Sequence, residues 1–253
     1  MRLRTASRAI ILVLLVAAAG AGPAAAEGMR NIASIGLASY FDGTFRLESS
    51  DTFLARIVPG FTALARVSRI DAPGYNQHVF TLGPVVNLSK TTYAELAYGL
   101  GIDSARAFTH EGEASFNYET ESTWAGVGVR ALFLPASGYY YFLPSFSGKF
   151  HPVPALGLFG KVFLSIDSAG VVTNSFWGEA DYAFSPVFQA SVGFTVSRAE
   201  AFGYSLIAGA KISFTPKISL KYSLQYLSDT ISYLAAPQPR SGISNGLILD
   251  WKF

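Results

Sequence analysis

From Lys217 onward the chain alternates. Ile218, Leu220, Tyr222, Leu224 and Tyr226 fall on one parity, and Ser219, Lys221, Ser223 and Gln225 on the other. Successive side chains of an extended chain point to opposite faces, so this pattern predicts a strand with one apolar and one polar face. Two more segments read the same way. Ala190, Val192, Phe194 and Val196 alternate with Gln189, Ser191, Gly193, Thr195 and Ser197, while Tyr204, Leu206, Ala208, Ala210, Ile212 and Phe214 alternate with Ser205, Gly209, Lys211 and Ser213.

Soluble sandwiches also alternate, so the connections have to decide between architectures. One kind is short and often centred on proline: Val58-Pro59-Gly60, Ser89-Lys90, Phe150-His151-Pro152, Phe184-Ser185-Pro186 and Phe214-Thr215-Pro216. The other kind reads as longer and polar, over 71–76, 103–113, 167–170, 197–202 and 228–242. Short turns at one end, longer loops at the other and aromatic residues at the corners are the organisation of a transmembrane β-barrel. Counted between these connections, the strands fall near 31–41, 45–58, 61–70, 76–88, 91–102, 110–119, 122–134, 140–150, 155–166, 172–184, 187–197, 203–214, 216–228 and 241–253. The expected fold is therefore an all-β, antiparallel up-and-down barrel of fourteen strands. Twelve is the alternative, because "TFRLESSDTFLARI" in the first hairpin alternates poorly. Pro84 and Pro144 fall inside expected strands, where each removes a ladder donor, and are expected to mark bulges or bends.

Composition narrows the setting. Half of the 253 residues are apolar, yet beyond the N-terminal region no run approaches the roughly 18 apolar residues of a membrane helix. Arg2, Arg4 and Arg8 precede an apolar run from Ala9 to Ala19, and Gly22-Pro23-Ala24-Ala25-Ala26 supplies the small residues of a processing site. Residues 1–26 thus read as a cleaved secretory signal peptide and 27–253 as one barrel domain. Without the three arginines the charges nearly balance, so no nucleic acid or other polyanion is implied as a partner. The absence of cysteine excludes disulfides, thiolate metal sites and a lipid-modified N-terminal cysteine.

The last residues, "NGLILDWKF", put Leu247, Leu249, Trp251 and Phe253 on one face and Asp250 and Lys252 on the other. This stretch resembles the C-terminal signature of Gram-negative outer-membrane β-barrel proteins. The resemblance implies an outer-membrane location, contact with outer-membrane lipid, and recognition of Leu249, Trp251 and Phe253 by the barrel assembly machinery. The order of elements, with Tyr40-Phe41-Asp42 closing the first strand, is also similar to YaiO-type outer-membrane barrels.

Candidate functional residues belong to the inward face. With each apolar parity turned outward, the lumen receives Arg56, Arg66, Glu95, Arg130, Lys161, Glu179, Asp181, Lys211, Lys221 and Asp250, together with the aromatic residues Tyr93, Trp124, Phe159, Phe163 and Trp177. Both signs of charge occur. One reading is a polar channel whose charges select ions or small solutes; the other is a closed, internally braced barrel with a structural, surface or assembly role. An outer-membrane hydrolase is a third reading, but catalysis has little to draw on. His78 lies on the outward parity, His110 in an expected loop beside Glu111 and Glu113, and His151 in a short turn, so no residue is nominated as catalytic. No metal site and no cofactor is expected.

Overall fold

The computed structural model describes residues 28–198, 202–230 and 240–253. The expected signal peptide, and residues 199–201 and 231–239 of two expected loops, lie outside the described residues. Fourteen strands follow one another: β1 (Met29–Tyr40), β2 (Phe45–Val58), β3 (Phe61–Ala72), β4 (Tyr75–Asn87), β5 (Thr92–Asp103), β6 (Phe108–Glu119), β7 (Thr123–Leu134), β8 (Tyr139–Val153), β9 (Leu156–Asp167), β10 (Val172–Ala183), β11 (Phe188–Arg198), β12 (Phe202–Thr215), β13 (Ile218–Thr230) and β14 (Arg240–Lys252). Each pairs antiparallel with its sequence neighbours, and β1 pairs with β14 from Arg30 opposite Lys252 to Tyr40 opposite Gly242. Closure leaves no unpaired edge, which is the condition for a sheet to lie in a medium without water. The partner-to-partner registers stagger by about one residue per strand, which tilts the strands by roughly 35–45° and sets a wall radius of about 13 Å. That is wider than the eight-strand barrels whose interiors side chains fill.

Exposure is inverted relative to a water-soluble protein. Val192 is 65% exposed and its neighbour Ser191 8%, while Leu206 is 56% exposed and Ser205 0%. The buried side chains are mostly polar, among them Gln77, Thr81, Thr109, Glu111, Asn117, Ser175 and Asp181. Phe150, Phe184 and Phe214, the three Phe-x-Pro corners, stand exposed at the end that carries Met29 and Phe253, and the rings of Tyr182, Phe184 and Phe188 contact one another there. This is an aromatic girdle at one rim of an apolar band.

The first hairpin spans with the rest, which removes the twelve-strand alternative. It alternates poorly because Asn31, Ser49 and Asp51 interrupt its apolar outer face while Ile32 and Leu54 stand on the inner one. Asn31 and Asp51 share the outward parity with Leu37 and Phe53, and Asn31 Nδ2 donates to Asp51 Oδ1 at 2.6 Å, with Asn31 almost wholly covered. A mutual hydrogen bond lowers the cost of holding two polar groups against apolar surroundings.

Length does not separate the two kinds of connection among the described residues. Strands β3 and β4 are joined by Pro73-Gly74 alone, and β6 begins at Phe108, so the segments read as long loops at 71–76 and 103–113 are mostly strand. Chemistry separates them instead. At the end away from Met29, the carboxylates of Asp42, Asp103 and Asp167 accept backbone N–H groups of the turns they open, from Thr44, from Ala105 and Ala107, and from Ala169 and Val171. At the Met29 end the hydroxyls of Ser89, Thr120, Ser185 and Thr215 do this work. Ser137 is the hydroxyl exception at the first end. Both residue types compete for nearby backbone donors, which is why both close turns.

Neither internal proline makes a bulge. Pro84 keeps its pairing with Ala63 on β3, but the β4–β5 ladder lapses at 83–84 and resumes in the same register. Pro144 pairs with Val129 on β7, and the β8–β9 ladder lapses at 143–144. Each ring removes one donor from one side of its strand. Gly83 matches the first lapse: a Cβ there would stand 1.8 Å from the Leu96 carbonyl oxygen, so β5 lies too close for any side chain.

Candidate functional site

Direct cross-strand partners share a face, so the registers assign each interior residue. Ser115 opposite Glu95, Arg130 opposite Glu113, Trp177 opposite Lys161, Phe159 opposite Glu179, Ser191 opposite Asp181 and Lys211 opposite Lys221 all stand on the parity of the buried serines. Arg66, Asp250, Trp124, Tyr93 and Phe163 fall on the same parity, and Arg56 closes it at the rim, opposite Thr62. Trp251, Leu249 and Phe253 fall on the other parity. Phe253 N donates to the Met29 carbonyl at 2.9 Å, and its ring stacks on Trp251 with centroids 4.6 Å apart. The last residue is thereby held by the first strand.

Four groups of charge form on this inner face among the described residues. At mid-height on β3, β6 and β7, Arg66 bonds Glu113 at 2.8 Å, while Arg130 bonds Glu111 at 2.9 Å and reaches Glu113 at 3.4 Å. Lower on β8–β13, Lys149 pairs with Asp181 at 2.8 Å, Gln189 also donates to Asp181, and Lys221 reaches Glu179 at 3.1 Å. Beside the β1–β14 closure, Arg30 grips both oxygens of Asp250 at 2.8 and 2.7 Å. The fourth is the Arg46–Glu48 pair at 2.5 Å on β2, toward the end away from Met29. Side-chain ion pairs of this kind are stronger than exposed ones because water is partly excluded, and their geometry is fixed by the wall on which they stand.

Between the first two groups runs an arc of rings. Trp124 Nε1 donates to Tyr93 Oη at 3.1 Å, Trp124 and Phe159 stack with centroids 6.5 Å apart, and Phe159 meets Trp177 edge-on at 5.0 Å. Lys161, directly opposite Trp177, holds its ammonium 5.8 Å from the Phe163 ring. The remaining wall is plain. From β11 through β14 to β1 and β2 its middle inward positions include Gly193, Thr195, Ser205, Gly209, Ser223, Gln225, Ser244, Gly246, Ser34, Gly36 and Ser50. At mid-height, therefore, bulk and charge project from one side of the interior toward small hydroxyls and glycines on the other, whose own charges, among them Arg30–Asp250, Arg46–Glu48 and Lys221, lie nearer the ends.

Several interior charges were absent from the sequence-based set: Arg30, Arg46, Glu48, Glu111, Glu113 and Lys149. Glu111 and Glu113 were assigned to a loop, and correct placement of β6 would have put them on its inward parity with Ser115. The same correction separates them from His110, which points outward and hydrogen-bonds Tyr98 Oη at 2.6 Å. His110 and the two acids thus stand on opposite sides of the wall. His78 is also outward, opposite Arg69 and Ile102. His151 lies in β8 rather than in a turn.

No protein-family model matches the chain, and no curated protein matches it in sequence. In three dimensions it is similar to the Pseudomonas putida toluene transporter TodX, at 7% identity and a TM-score of 0.64 over 89% of this chain and 90% of that one. The CymD monoaromatic hydrocarbon channel follows at 9% identity and a TM-score of 0.62, over 90% of this chain and 89% of its own. A bacterial polysaccharide outer membrane secretin matches at 10% identity and 0.58, over 88% of this chain and 98% of its own. At these identities the likeness is one of fold: a closed barrel of the kind found in bacterial outer-membrane channels.

Proposed function

We propose that the protein is an integral outer-membrane β-barrel of the Gram-negative envelope that passes ions or small polar solutes through its charged lumen. The asymmetry of the interior carries the reading. At mid-height bulky, ion-paired and aromatic side chains occupy β3–β10 and the facing wall carries mainly Gly, Ser and Thr, its own charges lying nearer the two ends, which leaves room beside the bulky side in a barrel wider than side chains fill. Those neighbours described as hydrocarbon channels do not suggest the solute, since paired charges at mid-height favour ions and polar molecules over hydrocarbons.

The test is single-channel conductance of the refolded protein in planar bilayers. Discrete openings are expected, and Glu179→Lys, which reverses one lumen charge and frees Lys221, shifts the reversal potential toward anions. Folded barrel without conductance in either protein removes the pore. A second reading, a closed barrel with a structural or assembly role, draws on one observation: toward the end away from Met29, Val79, Leu132 and Tyr141 are buried on the inward face beside a Gln77–Thr109 hydrogen bond. Packing there narrows the passage, and the same recordings decide whether it shuts it.

Biogenesis belongs to the proposal as well. The outward Leu249, Trp251 and Phe253 serve as the strand that the barrel assembly machinery recognises, and the order of elements, with Tyr40-Phe41-Asp42 closing the first strand, makes the chain a relative of YaiO-type barrels in this proposal. Phe253→Asp is expected to lower heat-modifiable barrel in the outer membrane while leaving precursor export intact; unchanged barrel levels would remove the assigned role.

A further inference from the structure

At the barrel mouth that carries the chain ends, a cavity of about 420 Å³ opens between the β10–β11 turn, the last residues of β12 and β14 and the first residues of β13. Its lining brings together Lys211, Lys217 and Lys252 with the hydroxyl-bearing Ser213 and Ser219. The ladder explains the convergence. Ser213 stands opposite Ser219, Ser219 opposite Asp250, and Lys252 N donates to the Lys217 carbonyl at 2.8 Å, so the lysines of β12, the β12–β13 turn and β14 line one corner of the mouth.

Carboxylates do not balance them. Asp250 is the one acid in the lining, and Arg30 occupies both of its oxygens. Lys221, directly opposite Lys211, is drawn away to Glu179. Among the described residues Lys211, Lys217 and Lys252 lie in no ion pair, whereas Lys149 and Lys221 deeper in the lumen are each matched. Like charges gathered in a recess repel, and the arrangement is relieved when an anion sits among them. Ammonium groups act as point charges with rotatable donors, and neighbouring hydroxyls add further donors, a combination suited to a multiply charged oxyanion. Val187, Phe214 and Ile218 border the same recess and give it an apolar lip.

We infer that this mouth is a binding site for phosphate-bearing anions, with Lys211, Lys217 and Lys252 as the charged contacts and Ser213 and Ser219 as hydroxyl donors. The chemistry is shared by free phosphorylated solutes and by the headgroups of anionic phospholipids, whose chains would lie along the apolar lip. The inference rests on the barrel and its registers, and a binding measurement reads it whether or not the lumen conducts.

Inorganic pyrophosphate is the probe, titrated calorimetrically into the full refolded barrel in a zwitterionic detergent. Saturable binding is expected, weakened at least tenfold in Lys211→Gln/Lys252→Gln and unchanged in Lys90→Gln, a lysine in the β4–β5 turn at the same end. Heat modifiability verifies that each variant is folded, and Lys211→Arg/Lys252→Arg, which keeps the charge, should restore binding if the glutamine pair folds poorly. Repetition in nanodiscs of phosphatidylcholine with and without phosphatidylglycerol identifies the source. Competition by the anionic lipid assigns the site to headgroups, and undiminished pyrophosphate binding assigns it to free solutes. No saturable binding by the wild type, or equal binding by the glutamine pair, overturns the site.

Discussion

Two halves of one wall face each other across the interior and are built on different principles. From β3 to β10 the inward positions carry Arg66, Glu113, Arg130, Glu111, Lys161, Glu179 and the rings of Tyr93, Trp124, Phe159 and Trp177, tied together by ion pairs and ring contacts. At mid-height from β11 round to β2 they carry mainly glycines and small hydroxyls, with Gln225 Nε2 donating to Ser205 Oγ at 2.8 Å, and the ion pairs of this half, Arg30–Asp250 and Arg46–Glu48, lie toward its two ends. The backbone ladder is continuous through both halves. The closed ladder and the apolar outer face are common to both halves, and the difference between the halves sets the shape and charge of the interior.

The largest effect should come from violating what the halves share. Val192, on β11 and 65% exposed on the outer face, changed to Lys should cost roughly 2–4 kcal/mol near the middle of the apolar band, while Thr195→Lys on the same strand but inward should refold like the wild type. Urea titration of both variants in lipid vesicles measures the difference, and equal tolerance would mean that inside and outside are interchanged.

Breaking a bond within each half comes next. Glu111 is almost wholly buried, and Glu111→Gln leaves Arg130 with only its longer contact to Glu113, an expected loss of about 2 kcal/mol. Gln225→Ala on the plain half removes one neutral hydrogen bond and should cost about 1 kcal/mol. Reversal of that order in denaturant titrations would show that the charged half is not the more tightly braced.

The smallest effect on stability and the clearest on shape comes from moving bulk across the lumen. A Cβ on Gly36 would meet nothing nearer than the Asn245 carbonyl oxygen at 3.7 Å, so a side chain can start from this inward position, and Gly36→Trp is expected to project into the passage. Trp177→Ala empties space on the opposite half. Conductance should fall by about half in the first and rise by a similar factor in the second, with folding nearly unchanged. Equal conductance in both would place the narrowest point elsewhere.

Much of this molecule was legible before any coordinate. The period of two in β11, β12 and β13, interrupted at regular intervals, predicts strand number and parity, and the predicted bounds of most strands lie within a few residues of those observed. The misreadings have physical causes. Connection length was inferred from polarity, but β6 begins with Thr109, His110, Glu111 and Glu113 because one face of a barrel strand meets a polar interior and the outer rim lies beyond the apolar band. The β1–β2 hairpin looked irregular because Asn31 and Asp51 satisfy each other on the outer wall, a partnership across 20 residues that periodicity cannot show.

Sequence alone determined that the chain is a closed barrel and which parity faces in, because a one-residue flip would expose every charge of a strand to lipid, and no local choice can offset that. Tertiary structure decided which interior charges meet. Arg66 and Glu113 are 47 residues apart and Lys221 and Glu179 42, and only the stagger of the ladders brings them to hydrogen-bond distance. The same stagger gathers three lysines at one mouth around a single acid, Asp250, that Arg30 already grips, and sets the bulky half of the lumen against the plain one. Register is a property of closure around all fourteen strands, so it is written in no single segment of the chain.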